Sequence, residues 1–278
     1  MQKQELSGTW PPRSSGLRHD AHMTHTPTAG AAVAVIGGSG FYDLDDAVER
    51  VDVDTPWGPP AAPIAVAEHD GCRVAFLARH GVGHRLPPHA VDSRANLWAL
   101  RSIGVHSVVG TFACGSLTPD LGPGSFVVPD QLIDQTSGRP HTIHDTFADG
   151  PRHASFADPY EPGARRAILD AADAQVEVVR DGSTVVVVNG PRFATRAESR
   201  WYRAMGAHLI NMTQSPEAVI ARELDLAYAA VGLVTDFDAG LDDQPDMAPV
   251  DQHQVFRVFA AHLPRLRRLA LAAAASLG

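Results

Sequence analysis

The chain has 278 residues, 44% hydrophobic and 20% charged, enough to bury one large core or at most two. Its net charge of −9 and pI near 5.8 exclude a broad nucleic-acid or acidic-membrane surface, which needs clustered Lys and Arg, but leave room for a local anion pocket. Cys72 and Cys114 are the sole cysteines and form no CxxC, so neither a disulfide framework nor a thiolate zinc site is indicated and the expected compartment is the cytoplasm.

No apolar stretch approaches the ~20 residues that span a bilayer, and the N-terminus lacks the apolar core of a signal peptide. Residues 1–30 mix Pro, Ser, Thr, His and Gly without apolar periodicity and read as a flexible tail, with Met23 an alternative start. From residue 31 to 278 short β-branched runs alternate with helical patterns. Strands are expected at 32–37, 73–78, 106–111, 125–129, 184–188 and 226–234, and helices at 92–103, 161–174, 195–206, 214–223 and 251–276. Asp92 is a plausible N-cap for the first helix, whose Leu97, Leu100 and Ile103 share one face. The alternation predicts a single α/β domain with a central mixed, mainly parallel sheet flanked by helices. The segment 138–163, rich in Pro, Gly, Asp and His, is long for a connection and reads as a functional loop.

Several strand ends carry polar groups, the place where open α/β sheets collect ligands. "IGGSGF" at 36–41 sets three glycines around Ser39, a turn whose N–H groups can approach an anion, although a plain tight turn is an equal reading. It is not a dinucleotide fingerprint, because Asp43 occupies the position of the last glycine. "LARHGVGH" at 77–84 offers Arg79, a fork for two anion oxygens, and His80, a donor whose charge responds to anions; pairing of the Arg with a surface acid is the plainer alternative. "NMTQSPEAV" at 211–219 adds Thr213, followed by a Ser-Pro-Glu helix start.

Together Ser39, Arg79, His80 and Thr213 suit one phosphate better than a catalytic triad, and no Gly-x-Ser-x-Gly elbow is present. "VTDFDAG" at 234–240 closes an apolar run with Asp236 and Asp238. The pair could hold a metal, cap a helix or grip a polar ligand edge. A metal is the weakest reading, because no third oxygen-rich stretch and no HExxH accompany it.

Seven stretches, "VIGGSGFY", "DTPWGPP", "LARHGVGHRLPPHAVDSRANLWALRSIGV", "ACGSL", "VVPDQLID", "NGPRFATRAES" and "NMTQSPEAVIAREL…LVTDFDAG", run in order from about Val33 to about Leu266. In this series the chain resembles the S-methyl-5′-thioadenosine phosphorylase branch of the purine nucleoside phosphorylases. The resemblance implies a homotrimer without metal or organic cofactor, whose substrates are phosphate and a 5′-substituted adenosine. Phosphate attacks C1′, releasing adenine and a 5-substituted ribose 1-phosphate. By the same resemblance, Ser39, Arg79, His80, Thr213 and the backbone N–H of Ala113 hold phosphate. Met212 lies beside the ribose, Phe193 against the base, and Asp236 and Asp238 at the adenine edge. Asp236 is the implied general acid to N7, and His80 joins it as a catalytic group.

Two positions depart from the pattern: Phe112 stands where relatives carry a small or hydroxylic residue, and Ala194 where some have Ser. The segment 240–259, including Val255 and Phe256, is the implied but loosely matched cover of the 5′ substituent. His153 is implied to reach a neighbouring subunit's site, a solvated loop His being the alternative. Rival readings are a 5′-halogenated 5′-deoxyadenosine or a 6-oxopurine nucleoside as substrate, and a catalytically silent nucleotide-binding module.

Overall fold

The computed structural model describes residues 30–38, 49–148, 150–239 and 250–278, so the expected tail lies outside the described residues except for Gly30. In chain order the strands are β1 (Val33–Gly37), β2 (Glu49–Val51), β3 (Ile64–His69), β4 (Cys72–Ala78), β5 (Ser107–Ser116), β6 (Phe126–Val128) and β7 (Gln131–Asp134). They continue as β8 (Val179–Asp181), β9 (Thr184–Val187), β10 (Leu209–Asn211) and β11 (Ala227–Asp236). The helices are α1 (Ser93–Ser102), α2 (Pro162–Ala174), α3 (Arg196–Ala204), α4 (Gln214–Glu223) and α5 (Gln252–Leu277).

These strands form one mixed sheet whose spine is β5 flanked by β1 and β11, both parallel to it. β4 pairs parallel with β1, and β10 pairs antiparallel with the last residues of β5. The expected class holds: a mixed, mainly parallel sheet with helices on both faces. α1 and α4 cover one face, where Leu97, Leu100 and Ile103 pack with Ala218 and Ile220, so the predicted stripe on α1 is its core face. α2 and α5 cover the other, burying Ile168, Leu266 and Leu269 with Val109, Val231 and Leu233. Each such aliphatic side chain contributes roughly 1.5–3 kcal/mol by leaving water.

The helix ends follow their local chemistry. The Asp92 carboxylate accepts from the N–H of Arg94, and Thr195 with Glu198 forms a reciprocal capping box on α3. In α4, Ser215 is extended (φ −114°, ψ 135°) as the residue before a proline prefers, so the regular helix starts at Pro216, where Ser-Pro-Glu signals it.

Five strands have no counterpart among the expected ones: β2, β3, β7, β8 and β10. Three of them are three residues long, too short for a period to register, and β3 is one-third alanine, a weak strand former. β5 also runs to Ser116 instead of opening at residue 111, because β11 pairs with it as far as Gly115 and β10 pairs with Ser116. At Gly232 of β11 the absent side chain is what seats a neighbour: a Cβ there would lie 2.7 Å from Cζ of the buried Phe112 ring. Gly232→Ala should therefore cost about 1–3 kcal/mol through overpacking. The check is a lower urea midpoint at unchanged slope.

Candidate functional site

The carboxyl ends of β1, β4, β5, β10 and β11 open into a cavity of about 460 Å³. Its wall brings together Arg79, His80, Ala113, Phe193, Met212, Thr213, Asp236, Asp238 and Val255, residues spread over 177 positions of sequence. Phe112, Ala194 and Phe256 line it as well. Ser39 lies outside the described residues, although Gly38 just before it forms part of the wall. Residues 240–249 of the expected 5′ cover are likewise outside them. His153 is exposed on the long loop, ring to ring with Phe147 at 5.6 Å, and is not among the lining residues.

At one end of the cavity the fork of Arg79 is already engaged. Its Nε and Nη2 donate to the Glu217 carboxylate at 2.6 and 2.7 Å, and Nη1 donates to the Thr111 carbonyl at 2.7 Å. The Nε–Nη2 edge of the fork thus serves a carboxylate of the protein. Nor is that acid the surface partner of the alternative reading, since Glu217 is as buried as Arg79. Glu217 sits 138 residues further along the chain, so local sequence could not reveal it.

His80 is held by its own loop. Its Nδ1 lies 3.0 Å from the Leu86 carbonyl, which can only accept, so Nδ1 carries the proton and Nε2 keeps its lone pair in the neutral ring. Burial, reinforced by Arg79 and His84, lowers its pKa to about 3, so the ring is uncharged near neutrality. His84, not singled out from the sequence, stacks on it at 4.2 Å.

Asn211 is the organiser that motif reading passed over. Its Oδ1 accepts from the N–H groups of Thr213 and Gln214 at 2.7 and 2.8 Å, while Nδ2 donates to the Ala113 carbonyl at 2.8 Å. One side chain thus holds the turn that leads into α4 and ties β10 to β5 at the cavity wall. The long loop contributes a second anchor: buried Arg139 donates to the carbonyls of Met212, Ser215, Val188 and Asn189.

At the other end stand the two carboxylates. β11 slips register against β5 between Val234 and Asp236, and this irregularity delivers Asp236 to the wall. Its Oδ2 accepts from Thr235 at 2.8 Å and its Oδ1 from the Asp238 N–H at 2.7 Å. Burial raises its pKa to about 6 against those two hydrogen bonds, and repulsion from Asp238 adds only a minor part. Asp238, at φ 45°, is also raised by burial and accepts a hydrogen bond from Ser199 of α3. Gly115 makes the room: a Cβ there would fall 2.8 Å from Oδ1 of Asp236. Phe193, 37% exposed, forms part of the rim, and Met212 tucks its sulfur over Gly190, where a Cβ would collide with it. Among the described residues the next helix, α5, is capped by Asp251 and not by either carboxylate. Among the described residues no group of three or more His, Cys, Asp or Glu could hold a metal ion.

Comparison with known proteins points to one family. The phosphorylase superfamily model covers residues 32–272. An S-methyl-5′-thioadenosine phosphorylase of Mycolicibacterium smegmatis is 54% identical over 238 residues, covering 85% of this chain and 88% of the relative. A purine nucleoside phosphorylase of Streptomyces coelicolor is 51% identical over 253 residues, covering 89% of each chain. The solved methylthioadenosine phosphorylase of Schistosoma mansoni in complex with adenine superposes with a TM-score of 0.83 at 35% identity, covering 89% of this chain and 92% of that one. The chain belongs to the phosphorylase superfamily.

Proposed function

We propose that the protein cleaves S-methyl-5′-thioadenosine, or a close 5′-substituted 5′-deoxyadenosine, with inorganic phosphate, yielding adenine and a 5-substituted ribose 1-phosphate. The observation that carries this reading is the pair of buried carboxylates with raised pKa facing, across one cavity, the Arg79–His80–Thr213 end. The M. smegmatis relative bears the name of this activity. The purine nucleoside phosphorylase name of the S. coelicolor relative keeps a 6-oxopurine nucleoside as the second reading.

In this scheme a phosphate oxygen forms the new bond to C1′ while the C1′–N9 bond breaks. The ribose passes through an oxocarbenium-like state that a phosphate fixed beneath it stabilises. Protonated Asp236 donates to N7, so adenine departs neutral, and the N6 amino group donates to a carboxylate oxygen of the pair. Arg79, His80, Thr213 and the N–H of Ala113, with Ser39 beyond the described residues, form the phosphate end. His80, neutral before phosphate arrives, gains a reason to protonate once the anion is bound. Met212 and Phe193 flank the ribose and base, and Val255 and Phe256 the 5′ substituent. No cofactor enters the scheme. His153, not among the lining residues of its own cavity, serves a neighbouring copy in a homotrimer.

Phosphate-dependent adenine release from methylthioadenosine is the direct test, and no release with active-site integrity intact would sink the reading. Asp236→Asn keeps the volume, removes the transferable proton, and should lower kcat/KM on adenine nucleosides roughly 10²- to 10⁴-fold. Turnover of inosine-type substrates should rise relative to the adenine series, because the amide can donate to O6 or N7.

The protonated form of Asp236 is the active one, so kcat/KM for the nucleoside should hold below its pKa of about 6 and decline as pH rises through it. That alkaline limb should vanish from the residual activity of Asp236→Asn, and its persistence would assign it to another group. Gly115→Ala pushes Asp236 aside and should cost roughly 10- to 100-fold in nucleoside kcat/KM with phosphate KM little changed. Sedimentation should show a closed trimer, and a fully active monomer would remove His153 from the site.

A further inference from the structure

The phosphate end contains a residue that motif reading left as part of a helix start. Glu217, in the first turn of α4, grips both the Nε and Nη2 of Arg79, and its Oε1 also accepts from the Tyr228 hydroxyl at 2.7 Å. All three side chains are essentially removed from water. The Tyr228 hydroxyl also lies 3.3 Å from Oε1 of Gln214, which accepts from Tyr160 at 3.1 Å, so the network continues into the end of the long loop. Room for it is built into β5: a Cβ at Gly110 would stand 2.5 Å from the Tyr228 oxygen.

The third edge of the guanidinium faces the site. Nη1 bonds the Thr111 carbonyl of β5 and is the nearest heavy atom to a Cβ placed on Gly38, at 4.0 Å. A guanidinium is planar, so fixing two of its nitrogens on a carboxylate and the third on a carbonyl fixes the direction of every N–H. Without the carboxylate, the bond to the Thr111 carbonyl would hold one nitrogen of a side chain with four rotatable bonds but would not by itself fix that plane. The carboxylate also cancels most of the guanidinium charge, so an anion here is bound by oriented N–H groups more than by net charge.

We infer that Glu217, anchored by Tyr228, is a positioning residue for inorganic phosphate, acting through Arg79. The inference rests on the proposed phosphorolysis for its meaning, but phosphate binding tests it without any nucleoside. The probe is inorganic phosphate, its affinity read by calorimetry and by its stabilisation of the thermal midpoint of the full chain.

Glu217→Gln leaves one acceptor where two were and turns a donor toward the fork. It should raise the phosphate Kd roughly tenfold, while the KM for nucleoside at saturating phosphate stays within about twofold. In the cycle of Arg79→Gln, Glu217→Gln and the double variant, the double variant should bind phosphate no more weakly than Arg79→Gln alone, because both act through one group. Multiplying losses, or a lowered thermal midpoint with an unchanged phosphate Kd, would overturn the inference and leave Glu217 a core residue. Tyr228→Phe keeps the ring and removes only the hydroxyl donor, so it serves if Glu217→Gln does not fold. A phosphate Kd raised by roughly two- to fivefold supports the relay, and an unchanged one overturns it. Phosphate binding by a wild-type protein that releases no adenine would instead count against the nucleoside reading alone.

Discussion

The parallel pairing of β5 with β11 is the constraint on which the site depends. Eight residues run in register from Ser107 opposite Ala227 to Cys114 opposite Val234, and then the ladder slips so that Asp236 meets Gly115. A regular continuation would alternate side chains between the two helical layers, where a carboxylate has no partner. The slip turns one carboxylate toward the cavity and leaves its oxygens to Thr235 and the Asp238 N–H. Gly115 is required at the same step, because any side chain would occupy the space that Asp236 takes. The other end of the cavity uses the same strand: Thr111 receives Arg79, and Ala113 is tied to Asn211. One strand thus sets the separation between the anion end and the carboxylate end.

The electrostatics of the two ends are less polarised than their composition suggests. Arg79 is compensated by Glu217, and His80 is neutral because burial and neighbouring cations oppose its charging. In a chain of net charge −9 no broad field draws an anion to this wall, and what the wall offers is directed hydrogen bonds in a low dielectric. Such a wall holds its donors in place before any ligand arrives, and preorganised donors need little rearrangement when charge develops nearby.

Much of this was legible in the chain. The helices carried their own punctuation: Asp92, Thr195 with Glu198, and Ser-Pro-Glu each mark a start that the backbone adopts. The polar residues at strand ends converge on one cavity because a parallel sheet gathers its carboxyl ends. What could not be read is partnership across distance. Glu217 looks like any first-turn acid, Ser199 like a polar residue on an exposed helix, and Asn211 like the last residue of a strand too short to detect. Each is defined by a contact: with Arg79 138 residues away, with Asp238 39 away, and with Ala113 98 away. The Arg79 fork shows the same limit, since local sequence displays the donor and hides the acceptor on its Nε–Nη2 edge.

Burial of two carboxylates within one turn needs a physical justification, since two unpaired charges there would be costly. The hydrogen bonds offered to them only partly answer the desolvation, and the pKa of Asp236 stays raised at about 6. The pair therefore holds a proton more readily than a solvated pair would, and it holds it at the cavity wall. An adenine edge asks for a donor at N7 and an acceptor at N6, and a carboxyl that is partly protonated near neutrality beside a second carboxyl meets both needs. A purely structural pair would gain from being exchanged for amides or apolar groups, which satisfy the same turn without the desolvation cost. The feature that makes these two residues poor stabilisers of the strand end is the one that suits them to a leaving base.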